Sequence, residues 1–385
     1  MVFSNLIRRL KMSKIVIVVL MALLLVAVPL AGACAQPAPT PAPAPAPKPA
    51  PAPAPKPAPA PAPAPKPAPA PAPAPPKGEL PEFIKGGASG KGKAYSLSAY
   101  IIEMIGKYTP MKPQFRKTTT SVEAFTSIVA GDLHIAMYST TAPSALRQLG
   151  QDLPLRVLFC GGGATSSTIV GYFTKPRDDI IVFANLRGTR VFACKPGNIW
   201  ACPITDALLK VNNMTRDDFR WLEYSATADS FRSVEEGRVD CIQSVAGAST
   251  AKMASTVGLY VIPFSEKEQQ AIVDHRFGFL PLVWPAGMFG NTVDTASIAA
   301  PNTAMVSKDM SDFMGYTITK TFFEHLKEFQ TSQKAAEGFT KEAALLQWAL
   351  PYHAGAIEYY KEQGMWGSGE ETKQAALLKA EGATR

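Results

Sequence analysis

The chain has 385 residues, 46% of them hydrophobic, and 39 Lys and Arg against 31 Asp and Glu give a formal charge of +8. The whole excess lies in residues 1–78, where Arg8, Arg9, Lys11, Lys14, Lys48, Lys56, Lys66 and Lys77 stand without an acid, so residues 79–385 carry 31 charges of each sign. A neutral folded region excludes the basic face that nucleic-acid binding needs, and the leader charge reads as targeting.

Residues 1–33 read as a signal peptide: Arg8, Arg9, Lys11 and Lys14 precede an apolar stretch from Ile15 to Leu30, then Ala31, Gly32, Ala33 and Cys34. The stretch is short of the roughly 20 residues a spanning helix requires. Initiation at Met1 and at Met12 both keep a positive flank. Cys34 stands where a lipoprotein signal places its acylated cysteine, although Leu30 is four places ahead of it and Ala31 holds the position usual for Leu. Lipidation of Cys34 is the adopted reading, with ordinary cleavage after Ala31-Gly32-Ala33 or Ala33-Cys34-Ala35 open beside it. Residues 34–78 then form a disordered Pro/Ala-rich tether. Its prolines lack amide donors and fix φ, so an extended polyproline-type spacer is expected, at about 3.1 Å per residue. The chain is thus expected to be exported, at the cell surface or in the periplasm, and held to the membrane by a lipid anchor.

From Glu79 helical and strand-like patterns alternate, which predicts an α/β fold. The first helix is predicted over Leu97–Tyr108, ended by Pro110 and Pro113. Thr120 with Glu123 three places on predicts a capped helix that runs to Val129 and stops at Gly131, followed by a strand at Leu133–Met137. The second half repeats the plan: a strand at Thr189–Cys194, a turn at Lys195–Asn198 and a helix through Leu209. A helix at Ser230–Gly237 and a strand at Val239–Ile242 follow. This echo predicts two similar lobes with a ligand cleft between them, as 79–180 (first lobe), 181–285 (second lobe) and 286–385 (return to the first lobe, with C-terminal helices).

The segments from about Phe83 to Trp366 resemble the TAXI-type solute receptors of TRAP transporters. Gly86-Gly87-Ala88-Ser89-Gly90 running on to Tyr95-Ser96-Leu97 is similar to that family's opening Gly-rich strand, loop and helix. Thr118 to Ser121, with Gly131-Asp132-Leu133, is similar to the next unit. In the second half the similar segments are Ala184 to Val191, Pro196-Gly197-Asn198, Trp284-Pro285-Ala286-Gly287, and Pro351 to Tyr360. The resemblance implies a two-lobed periplasmic-binding-protein-like (type II) fold, a TRAP membrane permease as partner, and a small carboxylate-bearing solute, an organic acid or amino acid. Three threonines stand where the family has Thr-Gly-Gly, and Lys91 and Lys93 enter the first loop.

Helix starts offer unpaired amides to anions, and Ser and Thr add donors. The expected ligand-binding residues are Ser89, Tyr95, Thr119, Thr120, Ser121, Tyr138, Ser139, Gly197, Asn198, Gln243, Ser244 and Trp284, and Lys91, Lys93 and Lys195 could add charge. Tyr95, Tyr138 and Trp284 are expected as flat walls. No enzyme is expected: the four histidines sit in no nucleophile motif, and there is no G-x-S-x-G, H-E-x-x-H or P-loop. No cofactor or metal is expected either. Cys160, Cys194, Cys202 and Cys241 form no Cys-x-x-Cys pair, and both a Cys194–Cys202 bridge and buried free thiols fit. Two rival readings remain: the binding protein of an ABC-type importer with the same architecture, and a surface sensory module.

Overall fold

Two runs of parallel strands, each met by one strand arriving from the other run, organise the molecule. A computed structural model describes residues 76–90, 92–148, 151, 153–192, 201–222, 227–246, 248–274, 278–287 and 291–383. The leader and tether with Cys34, and the loop holding Cys194, Gly197 and Asn198, lie outside the described residues.

In the first run, β1 (Phe83–Ser89) pairs in parallel with β2 (Lys112–Thr118). A parallel bridge from Gly86 to Ile135 links β1 to the segment leading into β3 (Ala136–Ser139). β3 and β4 (Leu155–Gly161) both lie antiparallel to the far half of β11 (Thr295–Ser307). The order is therefore β2, β1, β3, β11, β4. In the second run β7 (Arg220–Trp221), β6 (Arg190–Phe192) and β8 (Cys241–Ala246) are parallel neighbours. β5 (Ser167–Thr174) lies antiparallel to β8, and the near half of β11 pairs with β5 and with β10 (Leu280–Trp284). A short β9 (Tyr260–Val261) also joins β5.

Both runs thus place a second, a first and a third parallel strand in order and then the reversed strand from across the junction. This is the two-lobed type II plan. The chain crosses twice, through residues 162–166 between β4 and β5, and between Pro301, paired with Ser167, and Asn302, paired with Ser139 and Gly161. The expected boundaries at 180 and 285 therefore miss the sheet change. β5 and β11 are buried on both faces, so their sequences carry no alternation to mark it.

Eleven helices are described: α1 (Lys93–Tyr108), α2 (Ser121–Val129), α3 (Thr141–Gln148), α4 (Ala201–Val211), α5 (Thr227–Glu235), α6 (Ala248–Val257), α7 (Glu266–Asp274), α8 (Asp312–Glu324), α9 (Leu326–Ser332), α10 (Ala354–Glu362) and α11 (Ser368–Ala383). α1 begins four residues before the predicted Leu97, because Gly92 already accepts the Ser96 amide at 3.1 Å. β3 ends two residues later than predicted. His134 and Ile135 donate to Lys85 O on β1, and the ladder to β11 begins only at Ala136. The first helix–Gly–acid echo ends as read, with Gly131 at φ +82°; in the second the helix ends at Glu235, two residues before the predicted Gly237, whose φ is +71°, and the strand starts at Cys241, not at Val239.

The first lobe buries one core, with Ile101, Ile105, Phe125, Phe159, Phe322, Phe329 and Tyr360 among its members. The second sheet buries both faces. β5 sends Val170 and Tyr172 to one and Ile169 and Phe173 to the other, the period of two expected of a strand. α11 closes the first lobe: Gln374 receives the Tyr352 amide and donates to its carbonyl, both at 2.9 Å, and the largely buried Glu381 meets Arg156 at 2.9 Å.

Candidate functional site at the crossover

Strand direction decides where a site can form. Ser139 and Gly161 end β3 and β4 opposite Asn302, and β1, parallel to them, ends at Ser89 on the same side. In the second sheet Ala246 at the end of β8 pairs with Ile169, two residues from Ser167, and β6 and β7 run parallel to β8. The carboxyl ends of the parallel strands of both sheets therefore point toward the crossover, the switch point at which open α/β sheets hold ligands.

The crossing strands are tied there. Asn302 donates its backbone and side-chain N–H groups to Ser166 O at 3.0 and 2.9 Å. Ser166 Oγ donates to Ala335 O at 2.7 Å and accepts the Gly338 amide at 2.8 Å. Lys93, the first residue of α1, reaches over to donate Nζ to Ser167 O at 2.8 Å. Burial lowers the Lys93 pKa to about 8.

Of the sequence-predicted residues, Ser89, Tyr138 and Ser139 come together. The Ser89 amide donates to the Tyr138 phenol oxygen at 2.5 Å, and that phenol donates to Ser89 Oγ at 3.1 Å. Ser139 Oγ shares a hydrogen bond with Thr141 Oγ1 at 2.8 Å. Next to them, the hydroxyls of Thr140 and Ser144 are buried without a partner among the described residues. Thr140, Thr141 and Ser144 were not singled out in the sequence. The hydroxyl run after β3 was the available signal, hidden because the strand was expected to end two residues earlier.

Other expectations are corrected. Trp284 is no wall: it is fully buried in the second lobe with Phe173 and Phe231, and a Cβ at Gly171 would lie 3.2 Å from its indole. Tyr95 packs edge-on against Phe115 at 5.0 Å, a prop between α1 and β2. Thr120 caps α2 by accepting the Glu123 amide at 3.1 Å, while the Glu123 carboxylate accepts the Thr119 amide at 2.6 Å. That bond, followed by the Thr119 hydroxyl, holds Glu123 below the usual carboxylate range. The helix start at Thr119, Thr120 and Ser121 is thus already filled by the chain's own acid. Gln243 and Ser244, successive on β8, face opposite sides of the sheet, and Gln243 is buried, donating to Thr205 Oγ1 at 3.4 Å. Cys202 is disulfide-bonded, which disposes of the free-thiol reading for that residue, and Cys160 and Cys241 are free and buried. The bridge's expected second end, Cys194, lies outside the described residues.

A charge pattern emerges at the helix starts. Helices α1, α3, α4 and α6, which follow the inner parallel strands β1, β3, β6 and β8, have no acid in the first turn. Helices α2 and α5, which follow the outer strands β2 and β7, have Glu123 and Asp229 there. An acid in that turn stabilises a helix by about 0.3–1 kcal/mol through its dipole, so four starts forgo it where the strand ends converge. Among the described residues no group of His, Cys, Asp and Glu could hold a metal, and no helix is long and apolar enough to cross a membrane.

Several solved structures are distantly similar. A putative L-cystine ABC transporter from Listeria monocytogenes is 14% identical, with TM-score 0.38, over 69% of this chain and 99% of that one. The alkanesulfonate-binding protein SsuA from Xanthomonas axonopodis pv. citri, bound to MOPS, is 13% identical, with TM-score 0.41, over 77% of this chain and 85% of that one. The periplasmic aliphatic sulphonate binding protein SsuA from Escherichia coli is 13% identical, with TM-score 0.42, over 78% and 79%. At such scores they establish neither ligand nor partner. The match to a family model is more extensive: residues 86–364 fit the NMT1-like family, which covers both lobes and both crossings, and the chain belongs to that family.

Proposed function

We propose that this chain is an extracytoplasmic solute-binding protein that captures a small anionic solute, a carboxylate in the first instance, between its lobes and delivers it to a membrane transporter. It catalyses no reaction. The observation that carries this reading is the distribution of first-turn acids: the four helix starts beside the inner strand ends are left uncompensated, while the two at the outer strands are neutralised. Contacts from both lobes to one solute would favour the closed arrangement, which is then the form presented to the transporter.

For the transporter, the resemblance of Gly86–Leu97, Trp284–Gly287 and Pro351–Tyr360 to TAXI receptors supports a TRAP permease. An ABC-type importer is the alternative. Uptake in membranes carrying the chain and its permease separates them, since an ion gradient drives the first and ATP the second. The lipid anchor at Cys34 and the extended tether belong to the same proposal and would keep the binding region near its permease.

Capture itself is tested by thermal unfolding of the full chain with a panel of carboxylates, sulfonates, amides and neutral sugars. A ligand at a hundred times its Kd stabilises by about 2.7 kcal/mol, a shift of several degrees. Stabilisation confined to acids is expected. Stabilisation by sugars alone, or by nothing in the panel, contradicts the reading.

A further inference from the structure

We propose that Lys93 is the residue that selects the solute's charge, holding its acid group at the crossover while its ammonium stays bonded to the Ser167 carbonyl. The inference rests on the capture reading above and adds the group that makes it selective.

Three observations point to Lys93. First, it lies between the lobes: it opens α1 in the first lobe, and its Nζ donates to Ser167 O, the first residue of β5 in the second. Second, its charge is unmatched. Lys107, Lys112, Lys308, Lys361 and Lys373 each meet a carboxylate, and Lys93 has none among the described residues. An ammonium has three donors, and one carbonyl takes one of them. Third, it is in the wrong place for stability. A lysine at the start of a helix adds to the positive end of the dipole, where an acid is favoured, and α1 has no acid in its first turn. Burial adds a desolvation cost, which shows in the lowered pKa.

Among the described residues, the groups that bond to it or close the adjacent strand ends are uncharged donors and acceptors. Ser96 Oγ donates to the Lys93 carbonyl on its own helix. Ser89 and the Tyr138 phenol close the end of β1. Ser167 stands on β5, and Asn302 on β11 is bonded to Ser166. A solute carboxylate entering here would take the idle donors of the ammonium and leave the Ser167 contact in place, joining the two lobes through one cation. A lysine retained only to pin β5 would act equally on every solute, whereas a charge partner separates acids from their neutral analogues. That difference is measurable.

The test is calorimetric titration of the full chain and of its Lys93→Gln and Lys93→Arg variants, each checked by circular dichroism. The probes are succinate, pyruvate and acetate, against succinamide, pyruvamide and acetamide. The expected result is that Lys93→Gln binds the best acid about tenfold to a hundredfold more weakly, the loss of a charge-assisted hydrogen bond, with its affinity for the matching amide unchanged. Lys93→Arg should retain a preference for acids. An acid-to-amide ratio in Lys93→Gln equal to that of the unaltered chain overturns the role of Lys93 and leaves capture standing. If no acid binds the unaltered chain, the capture reading fails and this inference fails with it.

Discussion

At the scale of single residues, Lys93 carries the strongest conflict between stability and position. Its pKa of about 8 in the folded chain lies below the ordinary lysine value of 10.5. Between those two values the unfolded chain holds a proton that the folded chain has released. The unfolded state then binds more protons, so stability rises with pH across that window. Below pH 8 both states are protonated and the burial penalty stands in full. Paired urea melts of the ligand-free chain and of Lys93→Gln should show the unaltered chain gaining on the variant from pH 8 to pH 10.5. A constant gap would mean that the ammonium is solvated. The sequence showed Lys93 only as one of several loop lysines, because exposure depends on the approach of β5, 74 positions away.

At the scale of elements, the six helices that follow parallel strands either carry an acid in the first turn, as α2 and α5 do, or lack one, as α1, α3, α4 and α6 do. In α2 that start is closed: Thr120 and Glu123 supply the bonds that a ligand would otherwise take. Thr120→Ala should therefore cost about 1 kcal/mol of stability, read from denaturant midpoints, and leave solute affinity unchanged. A loss of affinity without a loss of stability would return this loop to the site. The cap was legible, since Thr and Glu three apart have a local geometry that needs no distant partner. The amphipathic helices were legible for the same reason, and so were the glycines that end them. The ends of β3 and β8 were not, because strand ends are set by pairing with β11 and β5. Reading β3 two residues short hid the hydroxyl run from Thr140 to Ser144. Trp284 failed differently: a tryptophan beside a proline looks alike in a cleft and in a core, and the space that Gly171 leaves decides between them.

At the scale of the whole molecule, the two crossings should act as one hinge. Ser166, Asn302, Ala335 and Gly338 bind the strands where they change sheet, and Gly162 donates its amide to Gly338 O at 2.8 Å. A Cβ at Gly338 would fall 2.0 Å from Gly162 O, which is backbone and cannot step aside. Gly338→Ala is expected to lower stability by about 1–3 kcal/mol and to weaken solute binding, by forcing the crossings apart. Urea melts and calorimetry on that variant check both parts, and unchanged values in both would remove the hinge from the account. The two-lobed plan itself was legible as an echo of helix, glycine, acid and strand. Where the lobes exchange strands was not, because residues buried on both faces look alike in either sheet.

A crystal structure of the full chain with its best-binding acid is the most direct measurement. The solute is expected at the crossover, its acid group within hydrogen-bond distance of Lys93 Nζ and facing the starts of α1, α3, α4 and α6. A second place is available for an anion: the open depression of about 590 Å³ lined by Lys85, Gly86, Gln114, Phe115, Arg116, Asp132 and Leu133 on the first lobe. Solute bound there, with the crossover empty, would contradict that expectation.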